Sequence, residues 1–484
     1  MESGKDQKLN LFTLVLLGVG SLIGAGVFNS PTDIILGANP QAAIIAWIIG
    51  GIGVIALAMI FQMLSSRRPQ LTGGIVDYTK AGFGDLTAFI SGWGYWISGL
   101  FGNVAFNTLL MKTINDLLGQ TLGVTLKPIV TFILSSALLW FFVYVQTTGA
   151  KNVGFINNIV TIAKLIPLFL VLILGVTVFK PSIFFVDNWT TILASATDPV
   201  TASTTAYSQI GSTMSTILWC FIGVEAMTIL ATKAKRQKDV GRATVISILF
   251  TLAVYVLLIV ISMGVVPAQE LAASNTPLAT VLSKTVLGSA GALIVKLGLI
   301  LSLVGALLTW ILIAAQMPQA AAQMKLFPKV FLKENKNEAP VGALIATNLI
   351  VQFFFLAMLL PTDMQQTIYG TVFSFATGCI LIPYVCSVIY GFKVYKEDKG
   401  NGVKLSNLVF LIIGGVYMIY NVVTTKPIYL LGVIIVVAVG MPAYALARKE
   451  NKISLTSKEK TAMYIIGALG IISIVLFATG VVQI

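Results

Sequence analysis

Long stretches of apolar, uncharged residues recur along this 484-residue chain and limit its fold more than any other feature. A bilayer core about 30 Å thick is crossed by about 20 helical residues. Backbone groups in lipid must be satisfied within their own segment, so these runs predict helices, whereas a membrane barrel needs shorter segments of alternating polarity. We therefore predict an all-α, polytopic membrane protein of twelve or thirteen spans. The thirteen apolar runs cover residues 10–36, 41–64, 85–111, 128–147, 155–179, 209–231, 243–266, 287–319, 341–360, 366–392, 405–423, 427–447 and 461–482.

Composition agrees with a membrane location. Of all residues, 57% are hydrophobic and 10% are charged, whereas about a quarter of the residues of a soluble domain are charged. The first apolar run begins at Leu9, is too long for a removable signal peptide and has no small-residue cleavage site, so it is predicted to remain as span 1. Cys220, Cys379 and Cys386 lie in spans, at spacings typical of neither a disulfide framework nor a zinc site.

Basic residues are distributed unevenly between the two sets of loops that alternate along the predicted spans. The net charge is +13, and 24 of the 31 Lys and Arg residues fall at the N-terminus or in the loops after even-numbered spans. The opposite loops hold five. Cytoplasmic loops carry the excess of Lys and Arg, so the N-terminus is predicted to be cytoplasmic and the protein to lie in the cell membrane. This topology explains the basic balance without a nucleic-acid partner.

The chain is predicted to form one membrane domain, 1–484, because the longest outside segment between spans is only about 180–208. Glycines interrupt span 1 at 18–26, and span 6 is interrupted at 221–225. Five spans apart, these segments enter the membrane from opposite faces, as in an inverted-topology repeat. This arrangement predicts one five-helix repeat at 10–180, a second at 209–394, and peripheral helices at 405–484. The alternative is that the glycines only allow close helix packing.

The segment 20–28, followed by Pro31, is predicted to unwind within span 1. An unwound turn leaves N–H groups and a helix N-terminus without intrahelical partners, and these donors suit an α-carboxylate. Trp219 precedes the interruption of span 6, and its indole face is shaped to cover a cation or an apolar side chain. The other interpretation of Trp219 is packing or interfacial anchoring. Paired broken helices indicate a transporter site.

Ionisable residues inside the predicted spans are functional candidates because charge is costly in lipid. Glu225 is interpreted as the only deep carboxylate, which either accepts hydrogen bonds from the unwound segment or contacts a substrate amine. Lys164 in span 5 is predicted to extend toward the carbonyls of span 1 and supply the charge that sodium supplies in related sodium-driven architectures. The alternative for Lys164 is a pair with a neighbouring helix that stabilises the fold. Lys296, which also lies inside a predicted span, has the same two interpretations, a functional role or a stabilising pair.

Asn103 is the predicted ligand contact on span 3, among small and aromatic residues, and Trp310 in span 8 is a predicted pocket wall or a core residue. The chain has no His and offers no metal-ligand or hydrolytic constellation, so neither an enzyme nor a metal site is predicted. No selectivity-filter motif of a channel is present. The predicted substrate-binding residues are Ser21, Ile23, Gly24, Ala25, Gly26, Tyr95, Ser98, Gly99, Asn103, Trp219, Cys220, Ile222, Glu225 and Trp310.

The chain resembles the amino acid-polyamine-organocation superfamily, particularly its basic amino acid/polyamine antiporter family. The segments that carry the resemblance are 20–31, 72–84, 93–103, 218–225 and 239–244. Within that family, the segments 27–31, 61–64, 80–84 and 94–96 resemble arginine/ornithine antiporters.

The resemblance implies a ten-helix inverted-repeat core with a midplane site between helices 1, 3, 6, 8 and 10, and no metal or organic cofactor. It places the substrate carboxylate at residues 24–26, the distal polar group at Asn103, Trp219 over the substrate and Tyr95 near the site. Ala25 departs from the Ser that relatives often carry, so backbone donors must hold the carboxylate. The expected function is exchange of arginine for ornithine. The alternatives are exchange of an amino acid for its decarboxylation product (histidine/histamine or tyrosine/tyramine), agmatine/putrescine exchange, or proton-coupled uptake.

Overall fold

The computed structural model describes residues 10–24, 26–71, 73–148, 151–193, 201–225, 237–360 and 364–479, most of which are helical. This confirms the all-α prediction. The helices are α1 (Leu11–Leu22), α2 (Gly26–Ile35), α3 (Pro40–Arg67), α4 (Ile75–Phe83), α5 (Asp85–Leu122), α6 (Pro128–Thr147), α7 (Lys151–Gly175), α8 (Pro181–Phe184), α9 (Ala206–Cys220), α10 (Gln237–Val265), α11 (Ala268–Ala273), α12 (Pro277–Ser283), α13 (Gly288–Gln323), α14 (Val341–Phe354), α15 (Met364–Glu397), α16 (Leu405–Thr424), α17 (Pro427–Glu450) and α18 (Ser457–Ala478).

Short irregular elements connect some of these helices. Three 3-10 turns cover Val176–Val178, Lys329–Leu332 and Phe355–Leu359. The segment between predicted spans 5 and 6 contains two short antiparallel strands, β1 (Thr191–Leu193) and β2 (Thr201–Ser203), paired with Ile192 opposite Ala202. This small hairpin was not predicted, and it leaves the helical character of the membrane domain unchanged.

Every predicted span has a helical counterpart. Among the described residues, nine helices are long and apolar enough to cross a membrane, and the bent pair α1 and α2 makes ten. The remaining predicted spans correspond to α5, α7 and α9. Helix α9 is short because it ends at Cys220, inside predicted span 6, and residues 226–236 lie outside the described ranges. The multi-pass architecture is therefore clear, whereas the number of spans stays a prediction.

The predicted interruption of span 1 is confirmed by a 45° bend between α1 and α2. Helix α1 begins at an Asn10 cap, whose side chain accepts a hydrogen bond from the Thr13 N–H. Pro31 lies inside α2 and cannot donate to the carbonyl of Val27. The Ser30 hydroxyl donates to that carbonyl at 3.0 Å instead, which helps α2 to tolerate the proline.

Helix α5 is the central element, because it packs along both α13 and α15. The approach to α15 is close: a Cβ on Gly94 would lie 2.8 Å from the backbone oxygen of Cys379. Helix α1 packs on α10, and α3 packs on α9 and α16. Both interrupted spans thus pack against neighbouring helices, while the repeat boundaries at 10–180 and 209–394 stay a prediction.

Ion pairs join the ends of several helices. Arg448 of α17 contacts Asp85 at 2.7 Å, which attaches a peripheral helix to the start of α5. Arg68, just after α3, contacts Asp398, just after α15, at 3.0 Å. The hydrogen bonds from the Arg68 guanidinium hold the pKa of the Asp398 carboxyl below its usual range. This pair therefore remains charged at neutral pH.

Candidate functional site

A cleft lies where the interruption of α1 and α2 meets the end of α9. Helix α5 forms a third wall and Trp310 of α13 a fourth. These elements correspond to predicted spans 1, 6, 3 and 8. The lining residues are Ser21, Leu22, Gly24, Gly26, Ser98, Gly99, Gly102, Phe106, Trp219, Cys220, Ile222 and Trp310.

The carbonyl groups at the end of α1 are bound by side chains from two other helices. The Lys164 ammonium of α7 donates to the Gly20 oxygen at 2.8 Å and also to the Ile23 oxygen. The Tyr255 hydroxyl of α10 donates to the Leu22 oxygen at 2.7 Å. A cation at a helix C-terminus is favourable because the helix dipole is negative there. Lys164 therefore stabilises the unwound turn by charge and by hydrogen bonding, at the carbonyls toward which the sequence predicted it to extend.

The start of α2 presents the opposite polarity to the cleft. The first N–H groups of a helix have no intrahelical acceptor, and the helix dipole adds partial positive charge. Gly26 opens α2 and lines the cleft. A Cβ on Gly26 would lie 2.9 Å from Trp219 Cδ1 and 3.1 Å from Cys220 Sγ, so the end of α9 packs directly on this turn. The cleft thus contains an anion-binding helix end beside an indole.

Glu225 organises the interruption of span 6 by accepting hydrogen bonds from the protein. Its carboxylate accepts from the Tyr95 hydroxyl at 2.5 Å and the Tyr384 hydroxyl at 2.5 Å. It also accepts from the Gly223 N–H at 3.1 Å. Gly223 has φ +106°, which favours glycine. Of the two interpretations left open by the sequence, these contacts support acceptance of hydrogen bonds from the unwound segment.

Aromatic rings enclose the cleft on the side of α5 and α13. Phe106 lies 5.5 Å from Trp219 and 6.5 Å from Trp310, measured between ring centroids. Trp219 also contacts Phe373 of α15, with centroids 6.1 Å apart. Faces of such rings attract cations, and guanidinium groups in particular. The walls therefore suit a cationic or an apolar ligand end.

Asn103 lies on α5 next to the lining residue Gly102, and it is completely buried. Neither its amide oxygen nor its amide nitrogen has a hydrogen-bond partner among the described residues. Buried amides are normally paired. The amide is therefore available to a bound ligand or to water, although Asn103 does not itself line the cleft.

The structure brings together most, but not all, of the predicted binding residues. Nine line the cleft, whereas Ile23, Tyr95, Asn103 and Glu225 are not among its lining residues and Ala25 lies outside the described residues. Lys296 is buried and contacts Asp116 at 2.5 Å, away from the cleft lining. The nine lining residues are Ser21, Gly24, Gly26, Ser98, Gly99, Trp219, Cys220, Ile222 and Trp310.

Several contributors were missed by sequence reasoning. Gly102 and Phe106 follow Ser98 at four-residue intervals on α5, so helical periodicity would have found them. Tyr384 has no such signal, because its partner Glu225 is 159 residues away. The Oδ2 atom of Asp33 in α2 is buried as well, although the interpretation of Glu225 as the only carboxylate deep within a span stays a prediction. Asp33 lies near the end of predicted span 1, where a carboxylate is ordinarily expected to reach water.

Known proteins share sequence similarity with almost the whole chain. A sequence model of the amino acid permease family matches residues 9–471. An arginine/ornithine antiporter of Pseudomonas aeruginosa is 36% identical, covering 97% of this chain and 97% of its own length. An arginine/ornithine antiporter of Lactococcus lactis is 32% identical, covering 98% and 90%. An arginine/agmatine antiporter of Chlamydia abortus is 32% identical, covering 99% and 99%. The similarity extends through every helix that lines the cleft.

Proposed function

Because the chain belongs to the amino acid permease family, we propose that it is an antiporter that exchanges external arginine for internal ornithine by alternating access. The observation that carries this proposal is the cleft, in which a helix N-terminus and aromatic walls face one space between two interrupted helices. Discontinuous helices of this kind form substrate sites in secondary transporters. The printed names of the relatives from Pseudomonas and Lactococcus support arginine and ornithine as the pair.

The α-carboxylate of the substrate binds at the turn between α1 and α2. The N–H groups at the start of α2 donate to it, and Gly26 allows close approach of the backbone. Ser21 and Gly24 complete this end of the cleft. Because Lys164 occupies the carbonyls of Gly20 and Ile23, no sodium ion is needed to hold the turn.

The distal cation of arginine or ornithine lies among Phe106, Trp219 and Trp310. Cation–π attraction at these rings favours a guanidinium or an ammonium. The Asn103 amide oxygen, which has no hydrogen-bond partner among the described residues, accepts a hydrogen bond from the same group directly or through water. Because arginine and ornithine carry equal charge at neutral pH, their exchange moves no net charge.

Trp219 closes the cleft on the side of Gly26, with α2 and α9 as the elements that move. The N-terminus lies in the cytoplasm and the end of α2 faces outward in this proposal, as the distribution of Lys and Arg predicts. The occupied carrier reorients readily and the empty carrier slowly, which makes exchange obligatory. The chain performs no chemical conversion and requires no cofactor.

Substituting Gly26 by Ala is expected to reduce the kcat/KM of arginine uptake by about tenfold, because overpacking of about 1–3 kcal/mol displaces Trp219 and Cys220 from the turn. The matched control is Gly467→Ala in the peripheral helix α18, where a Cβ would meet no described atom within 4 Å. Initial rates of labelled arginine uptake by both variants, normalised to protein in the membrane, measure the effect. If Gly26→Ala and wild type take up arginine at equal rates, the tight contact between Gly26 and Trp219 has no role in the mechanism.

The purified protein in liposomes tests the exchange itself. Vesicles are preloaded with unlabelled ornithine, agmatine, putrescine, histamine, tyramine or buffer, and uptake of labelled arginine, agmatine, histidine or tyrosine is followed. We expect rapid arginine uptake with ornithine inside and at least tenfold slower uptake into empty vesicles. Imposing a membrane potential with valinomycin is expected to leave this rate unchanged, because the exchange is electroneutral.

The alternatives give different outcomes in the same vesicles. Preference for internal agmatine, together with a rate that depends on membrane potential, would indicate arginine/agmatine exchange, because agmatine carries one more positive charge. Equal uptake into empty vesicles driven by a proton gradient would indicate a proton-coupled permease. Either result would overturn arginine/ornithine exchange.

A further inference from the structure

A group of buried polar atoms near the end of α2 has no use in the exchange described above. Asn29 Oδ1, Asp33 Oδ2 and the Tyr369 hydroxyl have no hydrogen-bond partner among the described residues. Asn29 and Tyr369 are each 1% exposed. Asn29 Nδ2 donates to Asp33 Oδ1 at 2.7 Å, which orients the carboxylate and leaves its second oxygen without a partner. Unpaired buried atoms of this kind are rare, and two carry partial or full negative charge.

These atoms lie beyond Trp219 as viewed from the cleft. Gly26, Asn29 and Asp33 share one face of α2, and Asp33 is about 10 Å further along the helix axis than Gly26. Trp219 packs on Gly26, and its indole also lies against Tyr369 of α15. The Asp33 carboxylate interacts electrostatically with Tyr369 and with Cys220. The group is therefore separated from the cleft by the indole of Trp219.

The chemistry of the group complements a cation. None of the described residues that line the cleft is a carboxylate. Glu225 is already hydrogen-bonded by two tyrosines and a backbone N–H. Among the described residues, Asp33 is the one Asp or Glu with a buried carboxylate oxygen that has no hydrogen bond. A guanidinium or an ammonium offers the donors that Asp33 Oδ2 and Asn29 Oδ1 lack.

We propose that Asp33, Asn29 and Tyr369 form an outer subsite that binds the cationic end of arginine or ornithine before it passes Trp219. This inference rests on the proposed function and adds a second, outward-facing contact for the same substrates. Lys112 of α5 also interacts electrostatically with Asp33. Its positive charge opposes a ligand cation, so the subsite binds weakly and releases the substrate toward the cleft.

The test compares wild type with Asp33→Asn in right-side-out and inside-out membrane vesicles from the same cells. A hydrogen bond to a charged group contributes about 1.5–3 kcal/mol, so the external KM of arginine is expected to rise by about tenfold or more. The external KM of ornithine must rise by the same factor, because the equilibrium constant of exchange is fixed. The internal KM of either substrate and the kcat remain unchanged. An unchanged external KM, or an equal rise on both sides, overturns the proposal.

The matched control is Glu270→Gln, which removes an exposed carboxylate in α11, an element that packs on α2. It is expected to leave the external KM unchanged. External citrulline, which has no charged side chain, provides a second comparison as a competitor of arginine uptake. Its inhibition constant is expected to be the same for wild type and Asp33→Asn. If the variant raises the inhibition constant of citrulline tenfold together with the external KM of arginine, the defect is a general one on the outer side of the protein, and the assignment is overturned.

A second variant covers the case in which Asp33→Asn fails to reach the membrane. Tyr369→Phe removes one hydroxyl and is expected to raise the external KM of arginine severalfold, with an unchanged internal KM. An external KM equal to that of wild type would overturn the subsite. If the wild-type protein does not exchange arginine for ornithine, the proposed function is contradicted. The Asp33 test is separate from that outcome, because it compares the variant with the wild type for whichever cation the wild type transports.

Discussion

Replacing Lys164 by Met is expected to lower arginine/ornithine exchange by about 100-fold, because each buried carbonyl left without a donor costs about 1–3 kcal/mol. The ammonium of Lys164 donates to the oxygens of Gly20 and Ile23, which end α1 at the substrate turn. Met has a similar length and no charge, so the turn loses its hydrogen bonds and the cation that offsets the helix dipole. Initial exchange rates in liposomes, with the amount of inserted protein quantified, measure the loss.

Lys284→Met is the matched control for Lys164→Met. Lys284 is exposed and pairs with Glu270, and its loss is expected to leave exchange unaffected because surface ion pairs contribute little. Sodium provides the decisive comparison. Wild-type exchange is expected to proceed at the same rate when choline replaces sodium, and Lys164→Ala is expected to recover part of its activity in sodium, which binds carbonyl oxygens. A strict sodium requirement of the wild type would contradict the role of Lys164 as a substitute for sodium.

Lys164 also shows what a sequence of this kind can predict. A lysine deep in an apolar helix must find acceptors, and the unwound turn of span 1 was the place where carbonyls lack partners. The glycines at 18–26 predicted that turn, and the apolar runs predicted the helices themselves. These predictions succeeded because lipid leaves so few ways to satisfy a backbone group or a charge.

Other features of the site depend on tertiary contacts that have no local signal in the sequence. Tyr384 meets Glu225 only because α15 packs against α9, the helix that ends five residues before Glu225. Asn103 was predicted as a ligand contact, yet it is not among the lining residues of the cleft, whereas the preceding residue Gly102 lines the cleft. The pattern of residues along α5 does not distinguish two positions that are so close. Asp33 looked like a carboxylate close to water, and only the packing around α2 shows that its Oδ2 is buried. Helix periodicity predicts a face, whereas neighbouring helices decide which atoms of that face remain accessible.

Replacing Glu225 by Gln is expected to lower exchange by at least about tenfold and to reduce thermal stability, because hydrogen bonds to a charged group contribute about 1.5–3 kcal/mol each. The carboxylate accepts from Tyr95, Tyr384 and the Gly223 N–H. An amide puts a donor where an acceptor is needed, so at least one of these bonds is lost. The interruption of span 6, which contains Ile222 and directly follows the end of α9 with Trp219, then loses its fixed geometry. Exchange rates and melting temperatures in detergent report the two effects.

Combining Glu225→Gln with Tyr384→Phe decides between the two roles of Glu225. If the carboxylate acts through the tyrosines, both single variants remove the same contact and the double variant is little worse than Glu225→Gln alone. If Glu225 instead binds the substrate amine, Glu225→Gln raises the KM of arginine at unchanged melting temperature, and Tyr384→Phe adds its effect independently. Tyr464→Phe, in an exposed position of α18, is the control for loss of a tyrosine hydroxyl and is expected to change neither quantity. Strong non-additivity would place Glu225 among the residues that maintain the shape of the cleft. Additivity with a raised KM would instead place Glu225 in the substrate site, and Tyr95 and Tyr384 would then have to release its carboxylate during transport.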